Sequence, residues 1–240
     1  MYKENPKTKG SGIICAIPQK GICPNGCKDC FFQSGRSYLE PLEENLPNMP
    51  SYEESIGRVI RVNDGNDSNV DKKRVVETTC LYDMIFYNTS IPDLDFGAPI
   101  VLTINPGDMT DKDFYMLDDH HLPKNLMFVR FRANMWNLTL LDRAVEFYSS
   151  REVPIVLTFM AYFNEEIPPK YKDDYIFRKR TLNSYWAITT DAWEKAMNGY
   201  KYNKWVYSCG KIEGEKGVSG CRFCGNCIRE YFATMERMRN

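Results

Sequence analysis

The sequence predicts an α/β fold, a partial (β/α)6 TIM-like barrel with a C-terminal cysteine-rich extension. Three observations predict it. Short apolar, β-branched runs alternate with stretches of helical period, as they do in parallel βα units. About six such runs occur, too few to close an eight-stranded (β/α)8 barrel. Nine cysteines are present, and seven of them fall in two tight groups, Cys23 to Cys30 and Cys209 to Cys227. The chain has 240 residues, 43% of them hydrophobic, which suffices for one large core or two small ones. Its 31 basic and 32 acidic residues nearly cancel, so neither extended nucleic acid nor an anionic membrane is an expected partner. No stretch approaches the roughly 18 apolar residues of a membrane span. The start, MYKENPKTKGSG, is polar where a secretory signal is apolar. A soluble cytoplasmic protein is the expectation.

Taken in order, SGIICAIP (11–18) reads as a strand ended by proline, leading straight into the first cysteine group. From 34 to 69 the chain is polar and rich in Pro, Asn, Glu and Asp, which predicts a surface excursion or lid with a weak helical stretch near 52–62. A helix over 70–88 follows, then the strand APIVLTIN (98–105), stopping at Pro106-Gly107-Asp108. An acidic helical piece is expected at 111–118.

The segment 125–135 reads as a strand with two unlike faces. Met127, Val129, Phe131 and Ala133 form one; Phe128, Arg130, Arg132 and Asn134 form the other, which suits a polar cavity. A helix over 137–152 starts at Asn137 as N-cap, and PIVLTFMAYF (154–163) is a further buried strand. Beyond a polar loop, 185–188 predicts a strand, 191–200 a helix begun by Thr190 or Asp191, and 204–208 a last strand. The core then spans 1–208 and the extension 209–240. Cys23 to Cys30, Gly107-Asp108, Arg132 to Asn134 and Cys209 all follow strand ends, where parallel α/β folds place their chemistry.

Clustered thiols in a chain without an export signal point to metal or redox work rather than disulfides. Only two histidines exist, His120 and His121, following two aspartates in a loop that reads as solvated, so the ligands must be thiolates. Cys23-Pro-Asn-Gly-Cys27-Lys-Asp-Cys30 supplies three. A structural zinc wants four, and a [4Fe-4S] cube held by three cysteines leaves one iron open to an outside ligand. Cys209, Cys221, Cys224 and Cys227 supply four, which suits either tetrahedral zinc or a fully ligated cube. Cys15 and Cys80 lie in a predicted strand and helix and read as small buried hydrophobes.

The CxxxCxxC motif after the first strand of a βα series resembles the signature of radical S-adenosylmethionine (radical SAM) enzymes. In that family the open iron chelates the methionine end of SAM. An electron from the cluster then splits the sulfonium to a 5'-deoxyadenosyl radical, which abstracts hydrogen from substrate. The resemblance implies two [4Fe-4S] clusters, the second an auxiliary one in the C-terminal extension, although the spacing there does not reproduce the larger SPASM pattern. The family often carries a Gly-Gly-Glu-like turn after its second strand that binds the SAM amino group. Gly107 and Asp108 follow APIVLTIN in such a turn, with Pro106 in place of the first glycine. Asp29 stands where the family has an aromatic residue or His, and Phe31 and Phe32 are the candidates to pack near the adenine.

Arg130 and Arg132 face solvent if their strand is an edge; if it is central they must find anions, and a cofactor or substrate carboxylate qualifies. Asn134, Thr158 and Tyr162 are candidates for ribose or substrate contacts. Nothing resembles a flavin or nicotinamide fingerprint, so a flavodoxin or ferredoxin-type electron donor is implied. The substrate class stays open: a small molecule, a nucleotide or a peptide. A different class of reading is a noncatalytic zinc protein whose two thiolate knots brace an interaction surface, or an iron-sulfur electron carrier.

Overall fold

The structure is a computed structural model that describes residues 1–27, 30, 32, 38–39, 47–105, 122–159, 161–162, 167–179, 184–210 and 220–240. Among the described residues the helices are α1 (Tyr52–Ser55), α2 (Lys72–Thr79), α3 (Leu138–Ser149), α4 (Thr190–Asn198), α5 (Cys221–Cys224) and α6 (Asn226–Arg239). The strands are β1 (Ile13–Ala16), β2 (Val59–Val62), β3 (Ile85–Thr89), β4 (Ile100–Ile104), β5 (Leu126–Ala133), β6 (Ile155–Phe159), β7 (Tyr175–Arg178), β8 (Tyr185–Ile188) and β9 (Val206–Ser208). Seven of them form one parallel sheet in the order β1-β2-β3-β4-β5-β6-β9. Sheet order equals chain order, so every crossover steps the same way, and the twisted sheet curls into a half-barrel instead of winding in two directions.

This is the α/β class and the partial barrel expected, but with different strands. Stretch 59–62, expected in a polar excursion, is the second strand, and all four of its residues are buried. Helix 70–88 divides into α2 and β3. Thr78 and Thr79 turn their hydroxyls back onto the carbonyls of Arg74 and Val75, and the β-prone IFYNT follows. The 185–188 strand leaves the barrel altogether: β8 pairs antiparallel with β7, a strand not foreseen. That hairpin packs on Met135 and Tyr162, so Tyr162 belongs to an aromatic cluster with Trp136 and Tyr175. α4 starts one residue early, because Thr189 is the N-cap and accepts from the Ala192 N–H at 3.2 Å. The expected helix at 111–118, the turn 106–108 and the pair His120-His121 lie outside the described residues.

One face of the sheet carries the crossover helices. Ile60, Val62, Tyr87, Leu102, Val129, Phe131 and Leu157 pack there against Val75 of α2 and Leu141, Val145 and Tyr148 of α3. Each such side chain contributes about 1.5–3 kcal/mol by leaving water. The period-2 reading of β5 holds except at Met127. The pairing with β4 shifts between Ile100 and Val101, and Met127 joins Phe128 on the opposite, inner face.

The inner face is apolar only near the strand starts. Val59, Phe86, Val101, Phe128 and Val156 form a floor there, and Tyr231 of α6 packs on it. Arg237 pins that helix by donating to the carbonyls of Lys124 and Leu126 at 3.0 and 2.7 Å. The C-terminal segment is therefore a lining of the half-barrel. No described helix is long and apolar enough to cross a membrane.

Candidate functional site

The loop leaving β1 turns at Pro24-Asn25-Gly26, where Gly26 takes the left-handed φ of 58° between the first two cysteines. Cys23, Cys27 and Cys30 all line one cleft of about 610 Å3, its open mouth included, at the carboxyl ends of β1 to β5. The tail of the loop is seated by a close approach. A Cβ added to Gly65 would lie 1.9 Å from the Phe32 ring, so only glycine lets that ring cover the turn after β2. Cys30 packs with Phe32, Ile17 and Leu39 behind it.

The rest of the cleft is polar. Asn63, Asp64, Gly65, Asn66 and Asp67 come from the turn after β2, Asn88, Thr89 and Ser90 from the end of β3, Thr103 and Asn105 from β4 and its end, Arg130 and Arg132 from β5. The buried Asp67 carboxylate is saturated: it accepts from the Asn69 N–H (2.9 Å), Thr89 Oγ1 (2.8 Å) and both Ser90 N and Oγ (2.6 and 2.9 Å). Ser90 Oγ lies 3.8 Å from Cys27 Sγ. Asp64 is held by Arg61 and Asn5. Asn63 and Asn105, 4% and 5% exposed, each turn an amide oxygen inward that has no partner among the described residues. Such acceptors suit a ligand bearing N–H or O–H donors. Burial pushes the Cys23 thiol up to about 11, and the Asp67 charge and the neighbouring thiols Cys27 and Cys30 add to it.

In the second group, Cys209 and Cys227 pack against the apolar inner face. Cys209 continues β9 and donates its N–H to Leu157 at 2.8 Å. Gly220 donates to the Gly210 carbonyl at 2.8 Å, which holds Gly210 and Gly220 together and brings Cys221 near Cys209. Gly225, at φ 62°, ends α5 between Cys224 and Cys227 and opens α6. Asn226 donates to the Ser208 carbonyl at 3.1 Å, fastening α6 to β9. Burial raises the Cys209 and Cys227 thiols, Cys227 to about 12, while Arg130 pulls both down and Arg61 pulls Cys227 down. The Cys221 thiol raises both in turn. Among the described residues no set of three or more His, Cys, Asp or Glu side chains already stands at metal-ligating spacing.

The residues foreseen for the cofactor divide. Arg132 lines the cleft. Asn134 does not: its Nδ2 donates to Tyr162 at 2.9 Å and its Oδ1 accepts from the Trp136 N–H at 3.0 Å, so it braces the β5 end. Thr158 stands near Cys209 instead, its Oγ1 buried and without a hydrogen-bond partner among the described residues. Phe31, Gly107 and Asp108 are outside the described residues, and the strand before Gly107 is the fourth in the sheet, not the second. The turn after the true second strand is Asn63 to Asp67, a stretch that reads in the sequence as part of the polar excursion. Its signal was the density of Asn, Asp and Gly directly after VIRV. Cys15 is buried as expected, whereas Cys80 is exposed at the end of α2. Compared with known proteins, the chain matches no family model, no curated protein and no solved structure.

Proposed function

We propose that the chain is a radical SAM enzyme, with Cys23, Cys27 and Cys30 holding one [4Fe-4S] cluster at the cleft and Cys209, Cys221, Cys224 and Cys227 a second one within the half-barrel. One observation carries the reading: three thiols and, among the described residues, no fourth line a polar cleft at the strand ends. Asp67, the nearest other ligand type, has its carboxylate already occupied by four donors. A set one ligand short suits a cube with an open iron and not a structural zinc. When bound, the cluster supplies the electron that cleaves SAM homolytically, from which hydrogen abstraction follows.

The chain's own residues bind and shield. Asn63 and Asn105, whose amide oxygens have no partner among the described residues, and Arg132 line the cleft where a ligand's ammonium, hydroxyl and carboxylate groups would bind. The Asn63 to Asp67 turn takes the place that the family gives to its amino-group turn. Phe32 over Gly65 keeps water from the thiol loop. The electron arrives from a flavodoxin or ferredoxin-type partner. The substrate is a small molecule, nucleotide or peptide, and a cytoplasmic setting goes with thiols kept reduced.

Anaerobically reconstituted protein is expected to be brown, with about eight irons at four per cube. It should release 5'-deoxyadenosine from SAM with dithionite. Colourless protein containing zinc and inert toward SAM would replace this reading with a structural zinc protein. Iron without SAM cleavage would leave an electron carrier.

A further inference from the structure

Among the described residues that line the cleft, Phe32 is the one apolar side chain besides the thiols. A lipid or an apolar side chain would find little surface to bury against there. The cleft instead offers polar groups in two layers, because strand period turns every second side chain inward. Asn88, Thr103 and Arg130 form the lower layer. Thr103 and Arg130 are register partners on β4 and β5, and Arg130 Nη1 donates to Asn88 Oδ1 at 3.0 Å. Asn105 and Arg132 stand two residues further along the same strands, nearer the mouth.

Arg130 is the cation of the lower layer. Its strand is central, between β4 and β6, and the side chain is half-buried over the Phe128 ring, 5.7 Å from the ring centre. Its hydrogen-bond partner is a neutral amide, and no carboxylate pairs with it among the described residues. The two carboxylates of the cleft are engaged elsewhere. Arg61 and Asn5 hold Asp64, and four donors hold Asp67. A cation drawn partly out of water with only a neutral partner favours an anion in the cleft. The unpartnered amide oxygens of Asn63 and Asn105 call for N–H or O–H donors in the same ligand.

We propose that the substrate is a small hydroxylated or aminated anion whose carboxylate or phosphate docks on Arg130, while its hydroxyl or amino groups meet Asn63 and Asn105. The inference rests on the cleft being the substrate site, as in the proposed function, and narrows the class of molecule that enters it. Docking on Arg130 fixes one end of the substrate in the cleft that the thiol loop also lines. Arg130 is then a specificity-determining residue, and a neutral analogue is rejected because the guanidinium stays unpaired.

The test is calorimetric titration of the full chain with glycerol 3-phosphate and with malate, a phosphate and a carboxylate that both carry hydroxyl groups, and with glycerol as the neutral control. At least one anion is expected to bind and glycerol is not. Arg130→Gln should weaken that binding by about tenfold or more, and Arg130→Lys should recover part of it. Asn88→Asp, which gives Arg130 a carboxylate of its own, should weaken it too and decides the matter if Arg130→Gln does not fold. Lys201→Gln, in a separate cleft, should leave it unchanged. No saturable binding of either anion, or equal affinity in wild type and a folded Arg130→Gln, overturns the inference. L-Methionine, which carries the amino acid end of SAM, binding through Arg130 where both anions fail would give the site to the cofactor and overturn it as well. Arg130-dependent anion binding in a chain that releases no 5'-deoxyadenosine would support the anion site and remove only the radical reading.

Discussion

The two thiol groups stand on different parts of one half-barrel, and the fold treats them differently. The N-terminal three stand on a loop at the rim, facing an open polar cleft, with a glycine turn as their support. Of the C-terminal four, Cys209 and Cys227 rest on an apolar floor to which α6 is pinned by Arg237. An open rim lets small molecules reach a metal centre. Cys224 of the second set lines a separate cleft with Trp193, Tyr207 and Asn226. Under the proposed reading the first group carries the chemistry.

The sharpest break of that contrast is removal of single thiols. Cys27→Ala is expected to abolish 5'-deoxyadenosine release and to drop iron from about eight to about four, with the unfolding midpoint in denaturant little changed. Cys227→Ala should lower both iron and stability, because that thiol lies on the floor of the sheet. Equal stability loss in the two variants would erase the distinction. Next in size is the buried pair. Arg61→Gln leaves Asp64 uncompensated and should cost about 3–5 kcal/mol in urea unfolding. A cost under about 1 kcal/mol, the surface value, would mean the pair is not buried.

Gly65→Ala drives a methyl into the Phe32 ring. It should cost about 1–3 kcal/mol and selectively weaken iron retention at the N-terminal set, which iron content measured in the Cys227→Ala background would show. Thiol reactivity sharpens the comparison most gently. Burial, above all, pushes the Cys15 thiol up to about 12. The folded chain thus favours its neutral form. Its stabilising contribution is complete below the ordinary thiol value near 8.5 and fades as pH rises toward and through 12. Native protein alkylated at pH 8 should therefore label exposed Cys80 first and Cys15 last, as peptide mapping would read. Early labelling of Cys15 would contradict its burial.

Much of the sheet was readable because β1, β4, β5 and β6 are apolar runs with clear stops. β2 and β3 were not. VIRV is only four residues and carries an arginine, which in a sequence window looks polar. In the half-barrel that arginine is the inner-face position between two outward apolar residues, Ile60 and Val62. IFYNT follows a helix without a glycine or proline between them, so periodicity ran on through the boundary. Missing β2 also hid the Asn63 to Asp67 turn and placed the expected cofactor turn two strands too late. The hairpin β7-β8 was invisible because its partner strand, YIFR, is mostly exposed.

The sequence by itself determined which atoms can bind metal, since seven thiols in two spacings and no other clustered soft ligand leave little choice, and it determined the α/β alternation. Only the tertiary structure decided that Cys209 and Cys227 of the C-terminal set lie inside the curl. Local spacing sets which donors are neighbours along a loop. Which charges face them across the sheet depends on strand order, register and the curl of the whole sheet, and those come from packing residues far apart in the chain.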